Sequence, residues 1–319
     1  MGDYVVITHT DLDGVTSSSL VLKHLRNNYG VTKVDVRFTQ PHRLHKLLKT
    51  VKSTNVFICD LGVNTNTYNV VVDEVRRLIS NGATIYWFDH HIWDDGWVAS
   101  LRELGVKLYI DNSTCSAGVV VRYLNLNDDV SLALARAACS VDLWLFNDPL
   151  GNFLSRYVVC RNDGTWRRYL INKLLDFNGY IDDEIKRCAE KVVVRELKIM
   201  EKVLKEVIIT DVKGIKLAFT MKLWDDGSTS YIAHYLMSKV NTDVVIVCKE
   251  SSLSIRSRDL NIRDLAVKLG GGGHPHAAGA PFKLPFIYKL MLYIGIRKPV
   301  LKLCSNIISK ELEKVLSSR

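Results

Sequence analysis

The sequence has no long hydrophobic run, no internal repeat and no low-complexity tract. Its nearest approach to an apolar run, residues 284–296, carries Lys289 and is shorter than the roughly 20 residues that span a bilayer. That stretch predicts an amphipathic or core helix. The N-terminus, MGDYVVITHTD, lacks the charged segment and long apolar segment of a secretory signal. We therefore expect neither a membrane protein nor a secreted one.

The seven cysteines include no Cys-x-x-Cys pair, which argues against a zinc ribbon and against a thioredoxin-type motif. An odd number of cysteines without a secretory signal is typical of reduced thiols in the cytoplasm. Several cysteines stand in apolar runs such as VFICD and VVIVCK and are expected to be small core residues. The predicted location is therefore cytoplasmic, with free thiols.

The composition is that of a folded chain with a basic surface. Of its 319 residues, 47% are hydrophobic and 24% are charged, which suits two domains with real cores better than a disordered chain. The net charge of +9 favours acidic partners, among which nucleic acid is the commonest. The same charge also fits an ordinary basic surface, so it does not choose between the two.

Short β-type runs alternate with helical patterns through the first half of the chain. This rhythm predicts a parallel sheet covered by helices on both faces, in which ligands collect at the carboxyl ends of the strands. A long charged helix follows, and β-type runs then return. We predict an α/β protein with a parallel-sheet domain over 1–178, a linker helix over 179–208, a smaller α/β domain over 209–283 and a helical tail over 284–319.

Three predicted strands end in acidic residues. Asp11 and Asp13 alternate in HTDLDG and can therefore point the same way, Asp60 closes ICD, and FDHH contributes Asp89 and His90. Singly, each is better explained as an Asx turn, a helix cap or a solvated loop. Together, at neighbouring strand ends, they supply the carboxylate and imidazole ligands that suit manganese or a similar divalent ion. We predict a metal site there.

A second motif, GGGGHPHAAGA over 270–280, indicates phosphate binding. Glycines allow close backbone approach and can present peptide N–H groups to a phosphate, and His274 can donate a further hydrogen bond. Upstream, SIRSRD carries Arg256 and Arg258 at alternate positions, as a two-guanidinium anion pocket would require. Solvated arginines on a surface strand are the simpler alternative. The predicted substrate-binding residues are Arg256, Arg258, Gly271, Gly272, Gly273 and His274.

These motifs together resemble the DHH–DHHA1 phosphoesterase family over nearly the whole chain up to about residue 283. HTDLDG is similar to the first family motif, Asp60 to the second, DHH at 89–91 to the third and GGGGHPHAAG to the C-terminal signature. The resemblance implies two Mn²⁺ ions, with Mg²⁺ or Co²⁺ as substitutes, that activate a water for attack on a phosphodiester. The implied metal ligands are His9, Asp11, Asp13, Asp60, His90 and Asp142.

Some of the implied roles are less direct. Asp142 is preferred over Asp148 as the fourth motif because it follows the small-residue run ALARAACS. His91 would face the substrate phosphate and, with Asp60, carry catalysis. Some relatives have a ligand histidine four residues before the first metal aspartate, where this sequence has Ile7. His9 either substitutes for it or supports the ligands from outside.

The resemblance implies a phosphodiesterase acting on short oligonucleotides or single-stranded nucleic-acid ends. Hydrolysis of a cyclic or linear dinucleotide is one alternative, and a non-catalytic replication-factor-like binding module is another. Long strands would need a basic track with aromatic residues, which DGTWRRYL at 163–170 could provide unless it is structural. The tail over 284–319 could mediate a homodimer, bind a protein partner or simply pack on its own domain.

Overall fold

The computed structural model describes residues 3–63, 65–222 and 228–317. The chain divides into two compact units, Met1–Ala189 and Glu190–Arg319. Within the described ranges, no helix is both long enough and apolar enough to cross a membrane.

The first unit is built on a five-stranded parallel sheet with the strand order β2-β1-β3-β4-β5. Its strands are β1 (Tyr4–Thr8), β2 (Asp35–Phe38), β3 (Asn55–Cys59), β4 (Thr84–Asp89) and β5 (Lys107–Ile110). The helices that alternate with them are α1 (Leu12–Tyr29), α2 (Leu44–Leu48), α3 (Tyr68–Ser80) and α4 (Asp95–Glu103). The predicted parallel sheet is confirmed.

The central strands are apolar at nearly every position because both faces of this sheet are covered. Val6 and Phe57 belong to a core on one face, whereas Val5, Ile7 and Trp87 belong to a second core on the other. Continuous apolar strands are what a doubly covered parallel sheet requires. Polar side chains are therefore disfavoured inside the central strands. The acidic residues lie at the carboxyl ends of these strands, where this restriction stops.

A helical layer completes the first unit. Its helices are α5 (Ser116–Tyr123), α6 (Asp129–Asp142), α7 (Pro149–Val158), α8 (Gly164–Leu175) and the beginning of α9 (Asp183–Glu206). Asp128, Asp148 and Asp163 cap three of them, each accepting a hydrogen bond from a backbone amide of the first turn. These helices bury their apolar faces against α1.

The second unit contains a mixed sheet with the strand order β10-β11-β9-β8-β7-β6, in which β7 and β8 run parallel. Its strands are β6 (Ile208–Val212), β7 (Ile215–Met221), β8 (Val244–Cys248), β9 (Ser252–Ser257), β10 (Gly272–Gly273) and β11 (Ala277–Pro281). Its helices are α10 (Thr229–Lys239), α11 (Arg263–Lys268), α12 (Phe286–Tyr293) and α13 (Lys298–Ser317). The prediction of a smaller C-terminal α/β domain is confirmed.

The prediction of reduced thiols is wrong for six of the seven cysteines. Disulfides join Cys115 to Cys139, Cys160 to Cys188 and Cys248 to Cys304, and Cys59 is free and buried. The partners are 24 to 56 residues apart in sequence, so only the packing of separate elements brings them together. Spacing along the chain could not reveal such pairs.

Candidate metal centre

The turn after β1 gives Asp11 two roles. Its Oδ1 caps α1 by accepting a hydrogen bond from Gly14 N at 3.1 Å. This is the helix-cap role that the sequence alone offers for an aspartate at this position. Its Oδ2 lies 2.8 Å from His9 Nδ1 and so faces the predicted site. Gly14 is needed because a Cβ there would lie 2.6 Å from the carbonyl oxygen of His9.

Asp13 lies in the first turn of α1 and is buried. Its Oδ2 accepts a hydrogen bond from Ser116 N at 2.7 Å, and its Oδ1 accepts one from Ala117 N at 2.8 Å. Both donors belong to the first turn of α5, where the helix dipole also favours a negative charge. Sequence reasoning missed these donors, although the small residues of STCSAG before an apolar run are typical of a helix start.

Asp60 occupies the middle of the constellation. It directly follows β3, is buried and has a φ of 55°, in the left-handed region that turns the chain sharply at the strand end. Its Oδ2 lies 3.5 Å from His9 Nδ1, and its Oδ1 lies 3.5 Å from His90 Nε2. One carboxylate therefore faces both histidines.

His90 faces the carboxylates through Nε2, which lies 3.3 Å from Asp142 Oδ2 and 3.8 Å from Asp13 Oδ2. Burial alone would lower the pKa of His90, but its hydrogen bond to Asp60 and the charge of Asp142 help to raise it to about 11. Asp148, the alternative to Asp142 for the fourth motif, caps α7 by accepting a hydrogen bond from Leu150 N. The structure brings Asp142, not Asp148, to His90.

His91 is held by Asp89, which is buried. Asp89 Oδ1 lies 2.9 Å from His91 Nδ1, and its Oδ2 accepts a hydrogen bond from Trp93 Nε1 at 2.6 Å. Burial would raise the pKa of Asp89, but the charge and hydrogen bond of His91 outweigh it and lower that pKa to about 2. Asn112 fixes the backbone by donating Nδ2–H groups to the carbonyl oxygens of His90 and His91, each at 2.7 Å.

The ring nitrogen of His9 that points away from the carboxylates also has a partner. Its Nε2 lies 3.0 Å from Gln40 Oε1, while Nδ1 faces Asp11 and Asp60. A histidine that ligates a metal commonly donates its other ring N–H to an oxygen in this way. Arg167 steadies the same turn, because its Nε donates to Thr10 O at 2.8 Å. Neither Gln40 nor Arg167 is evident from local sequence.

The donor set fits a pair of divalent cations. Among the groups whose ligand atoms all lie within 4.8 Å of one another are His9, Asp11 and Asp60, and Asp13, His90 and Asp142. Within the described chain, Asp60 Oδ2 and Asp142 Oδ2 are buried and accept no hydrogen bond of ordinary geometry. Burial and neighbouring carboxylates raise the pKa of Asp13 well above its usual range. Buried acids that repel one another in this way are stabilised by bound cations.

Metal binding is expected to release protons near neutral pH. A pKa of about 11 means that His90 is protonated at pH 7, whereas a ligand imidazole must be neutral. Binding of Mn²⁺ should therefore displace about one proton or more per chain, and affinity should fall as the pH is lowered. Calorimetric titration in two buffers of different ionisation enthalpy measures this number. Identical binding enthalpies in both buffers would contradict it.

The glycine motif forms the hairpin of β10 and β11 in the second unit. A Cβ on Gly271 would lie 2.0 Å from Gly279 O, and one on Gly273 would lie 2.7 Å from Ala277 O. The Gly271 amide already donates to Ala266 O and the His274 amide to Ala277 O. The Gly271 amide, one of the glycine N–H groups predicted to bind phosphate, is therefore used inside the protein. Gly272 is the member of the triplet with open space around it.

Positive charges collect beside this hairpin. Arg256 Nη1 donates to Ala278 O at 3.2 Å, and Arg258 is exposed just beyond the end of β9. Burial, together with the charges of Lys222 and Arg256, lowers the pKa of Lys249 to about 8. Like charges gathered in a partly buried place form an anion-binding environment.

The segment 163–170 is structural rather than an open track. Trp166 is buried and donates from Nε1 to Tyr157 O at 3.0 Å. Arg168 donates to Val36 O, and the Tyr169 hydroxyl donates to Glu184. With Arg167 engaged at Thr10, the basic and aromatic residues of this segment hold α8 in place.

Two family descriptions match the chain. The DHH family, N-terminal domain, matches residues 3–141, and the DHHA1 domain matches residues 212–290. No curated protein sequence matches.

Several solved structures share the fold at low sequence identity. The pGpG-specific phosphodiesterase PggH from Vibrio cholerae is 14% identical, with a TM-score of 0.54 over 94% of this chain and 100% of that one. An exonuclease RecJ bound to manganese is 14% identical, with a TM-score of 0.53 over 95% and 90%. CDC45 from Entamoeba histolytica is 8% identical, with a TM-score of 0.53 over 97% and 95%. These likenesses establish the fold alone.

Proposed function

The chain belongs to the DHH–DHHA1 family of phosphoesterases, and on that premise we propose that it is a Mn²⁺-dependent phosphodiesterase of short oligonucleotides or single-stranded nucleic-acid ends. The observation that carries the proposal is the position of Asp60, which faces His9 on one side and His90 on the other. A carboxylate shared by two ligand groups is what a two-metal centre needs.

Each residue of the centre then has a definite task. Two bound divalent ions supply an activated water and neutralise charge on the scissile phosphate. Asp60 sets the spacing between the two ligand groups, and the α5 amides hold Asp13 so that both of its oxygens stay in place. Asp89 lies at Nδ1 of His91, so we propose Nε2 as the ring atom that donates to a phosphate oxygen. The charge of Asp89 helps to raise the pKa of His91 against the effect of burial, which favours the protonated, donating form.

The second unit supplies affinity for the nucleotide. Arg256, Lys249 and Lys222 gather positive charge beside the glycine hairpin, and Arg258 and His274 add donors near it. We propose that a terminal phosphate of the substrate binds this group, with Gly272 allowing close approach. Gly271 and Gly273 serve the hairpin geometry and only indirectly the ligand.

Short substrates are favoured over long strands. The segment that could have formed an aromatic track is committed to internal packing and hydrogen bonds. Without such a track, a long strand gains few stacking contacts. The same observation favours hydrolysis of a dinucleotide as the second candidate. A purely non-catalytic module is disfavoured because its metal-binding residues would have no reason to be assembled so completely.

A length series of end-labelled substrates tests the proposal. Dinucleotides, pentanucleotides and long single strands, of RNA and of DNA, are incubated with Mn²⁺, Mg²⁺ or a chelator. We expect Mn²⁺-dependent cleavage that is fastest for di- to pentanucleotides. Faster cleavage of long strands would identify an exonuclease instead, with its polarity given by the product ladder. Absence of cleavage under every metal condition would refute a phosphodiesterase acting on oligonucleotides.

A further inference from the structure

Helix α12 presents an apolar surface that neither the fold nor the proposed chemistry uses. Its exposed fractions are 82% for Phe286, 59% for Ile287, 50% for Leu290, 90% for Tyr293 and 61% for Ile294. We call these five residues the α12 ridge. The opposite side of the helix is anchored, since Leu292, Met291 and Tyr288 pack into the core of the second unit. The ridge is therefore held firmly with its apolar side chains outward, as is typical of an interaction surface.

The stretch of chain that carries the ridge is basic. No aspartate or glutamate occurs between Asp264 and Glu311 in the sequence. Lys283, Lys289 and Lys298, which flank the ridge in the sequence, are all exposed, and Arg297 pairs with Glu206 at 3.6 Å. An apolar strip flanked mainly by positive charge is complementary to an apolar strip bordered by negative charge.

From this complementarity, we propose that the α12 ridge is the docking surface for an acidic amphipathic helix of a partner protein. Ile287, Leu290 and Ile294 are spaced by three and four residues, which is the spacing by which one helix packs against another. Carboxylates flanking the apolar strip of the partner would pair with the lysines. This inference does not depend on the proposed hydrolysis, because the ridge shares no residue with the metal centre or the glycine hairpin.

Other occupants fit less well. A second copy of the chain would bring the same lysines face to face across a symmetric interface, which costs free energy. Nucleic acid would be attracted by the charge and could stack bases on Phe286 and Tyr293, but Ile287, Leu290 and Ile294, three of the five ridge residues, are aliphatic and offer no ring. A lipid surface would gain from the apolar area and from attraction of anionic headgroups to the lysines, but it needs no strip of helical spacing.

The test uses the full chain and two designed helical probe peptides with leucines at the a and d positions of the heptad. One probe carries glutamates at the flanking e and g positions, and the other carries lysines there. Fluorescence anisotropy of labelled probes, below the concentration at which they self-associate, should show the glutamate probe binding at least about tenfold more tightly than the lysine probe, where tenfold corresponds to about 1.4 kcal/mol.

Variants separate the ridge from general charge attraction. Ile287→Ser combined with Leu290→Ser should weaken binding of the glutamate probe at least about tenfold. Val267→Ser, on α11 in the same unit and 49% exposed, serves as the matched control and should leave binding unchanged. Lys289→Glu should reduce the preference for the glutamate probe. Because all the substituted side chains are exposed, circular dichroism melting curves should match the wild type.

Four results would overturn the proposal. If the Ile287→Ser, Leu290→Ser variant binds the glutamate probe as tightly as the wild type does, binding depends on charge alone. If neither probe binds the wild type, the ridge is not a docking surface for a helix. Pelleting with phosphatidylglycerol vesicles that the double variant abolishes would assign the ridge to lipid. A dimer in sedimentation velocity that the double variant dissociates would assign it to self-association.

Discussion

Replacing Asp60 with asparagine is expected to abolish turnover almost completely while changing the stability of the metal-free protein little. The substitution removes a charged ligand that both ligand groups of the proposed centre share, because the Asp60 oxygens lie 3.5 Å from His9 Nδ1 and 3.5 Å from His90 Nε2. Loss of a residue that merely supports a metal ligand usually costs 10- to 100-fold, so loss of the shared ligand should cost at least about a thousandfold. Mn²⁺ affinity, measured by calorimetry, should fall with it.

Asparagine is the suitable replacement because residue 60 has a φ of 55°, a conformation that asparagine tolerates well. In the metal-free chain, the Asp60 charge raises the pKa of both Asp13 and Asp142, an effect that adds to their burial. Against the effect of burial, Asp60 also helps to raise the pKa of His90 and of His9, so asparagine removes an attraction as well as a repulsion, and the melting temperature of the metal-free protein should stay near that of the wild type. Asp73→Asn, at an exposed position of α3, is the control. An Asp60→Asn protein with near-normal turnover would refute the two-metal centre.

Replacing Asp89 with asparagine is expected to cost both activity and stability. The amide group would direct N–H donors at a site where both carboxylate oxygens now accept, one beside His91 and one from Trp93. His91 would lose its orientation and its charge partner, so kcat should fall by about 10²–10⁴. Because the His91 side chain is partly exposed, loss of its pair with the buried Asp89 should lower the free energy of unfolding by about 2 kcal/mol.

The pH dependence gives this second prediction a separate readout. The pKa of Asp89 is lowered from 3.8 to about 2, so its carboxylate stabilises the fold above its ordinary pKa. That contribution is lost as the pH falls towards 2. The stability gap between the wild type and Asp89→Asn should therefore narrow in strong acid, and it should also narrow as the pH rises through the raised pKa of His91, as measured by urea unfolding. Trp93→Phe, which removes one donor and keeps the charge, should lie between the two. If the difference in unfolding free energy between the two proteins does not narrow in acid, the Asp89→Asn protein loses stability through packing and not through charge.

The sheet and its acidic edge could be predicted because the relevant information is local. Residues Val5 to Ile7 are continuously apolar, and the acidic groups begin where each strand stops, so Asp11 and Asp60 stand out in the sequence. The distance between neighbouring parallel strand ends is small whatever the detailed packing, which brings such residues together.

The supporting contacts could not be predicted in this way. The amide of Ser116 reaches Asp13 across 103 residues, and Gln40 reaches His9 across 31. Nothing in either local sequence identifies its partner, because the contact is created by the order of strands and the angle of helices. The disulfides, and the double role of Asp11 as helix cap and candidate ligand, are not predictable from local sequence for the same reason. Close backbone packing also requires glycine at 271 and 273, a reason that local sequence does not reveal.

The disulfide between Cys115 and Cys139 connects the two helices that serve the centre. Cys115 immediately precedes the α5 turn whose amides hold Asp13, and Cys139 lies about one helical turn before Asp142. Asp142 and the amides that hold Asp13 therefore lie on two helices that this disulfide cross-links. Reducing agents in purification or assay buffers therefore act on the framework of the centre itself, and thiol state becomes as much a variable of any preparation as its metal content.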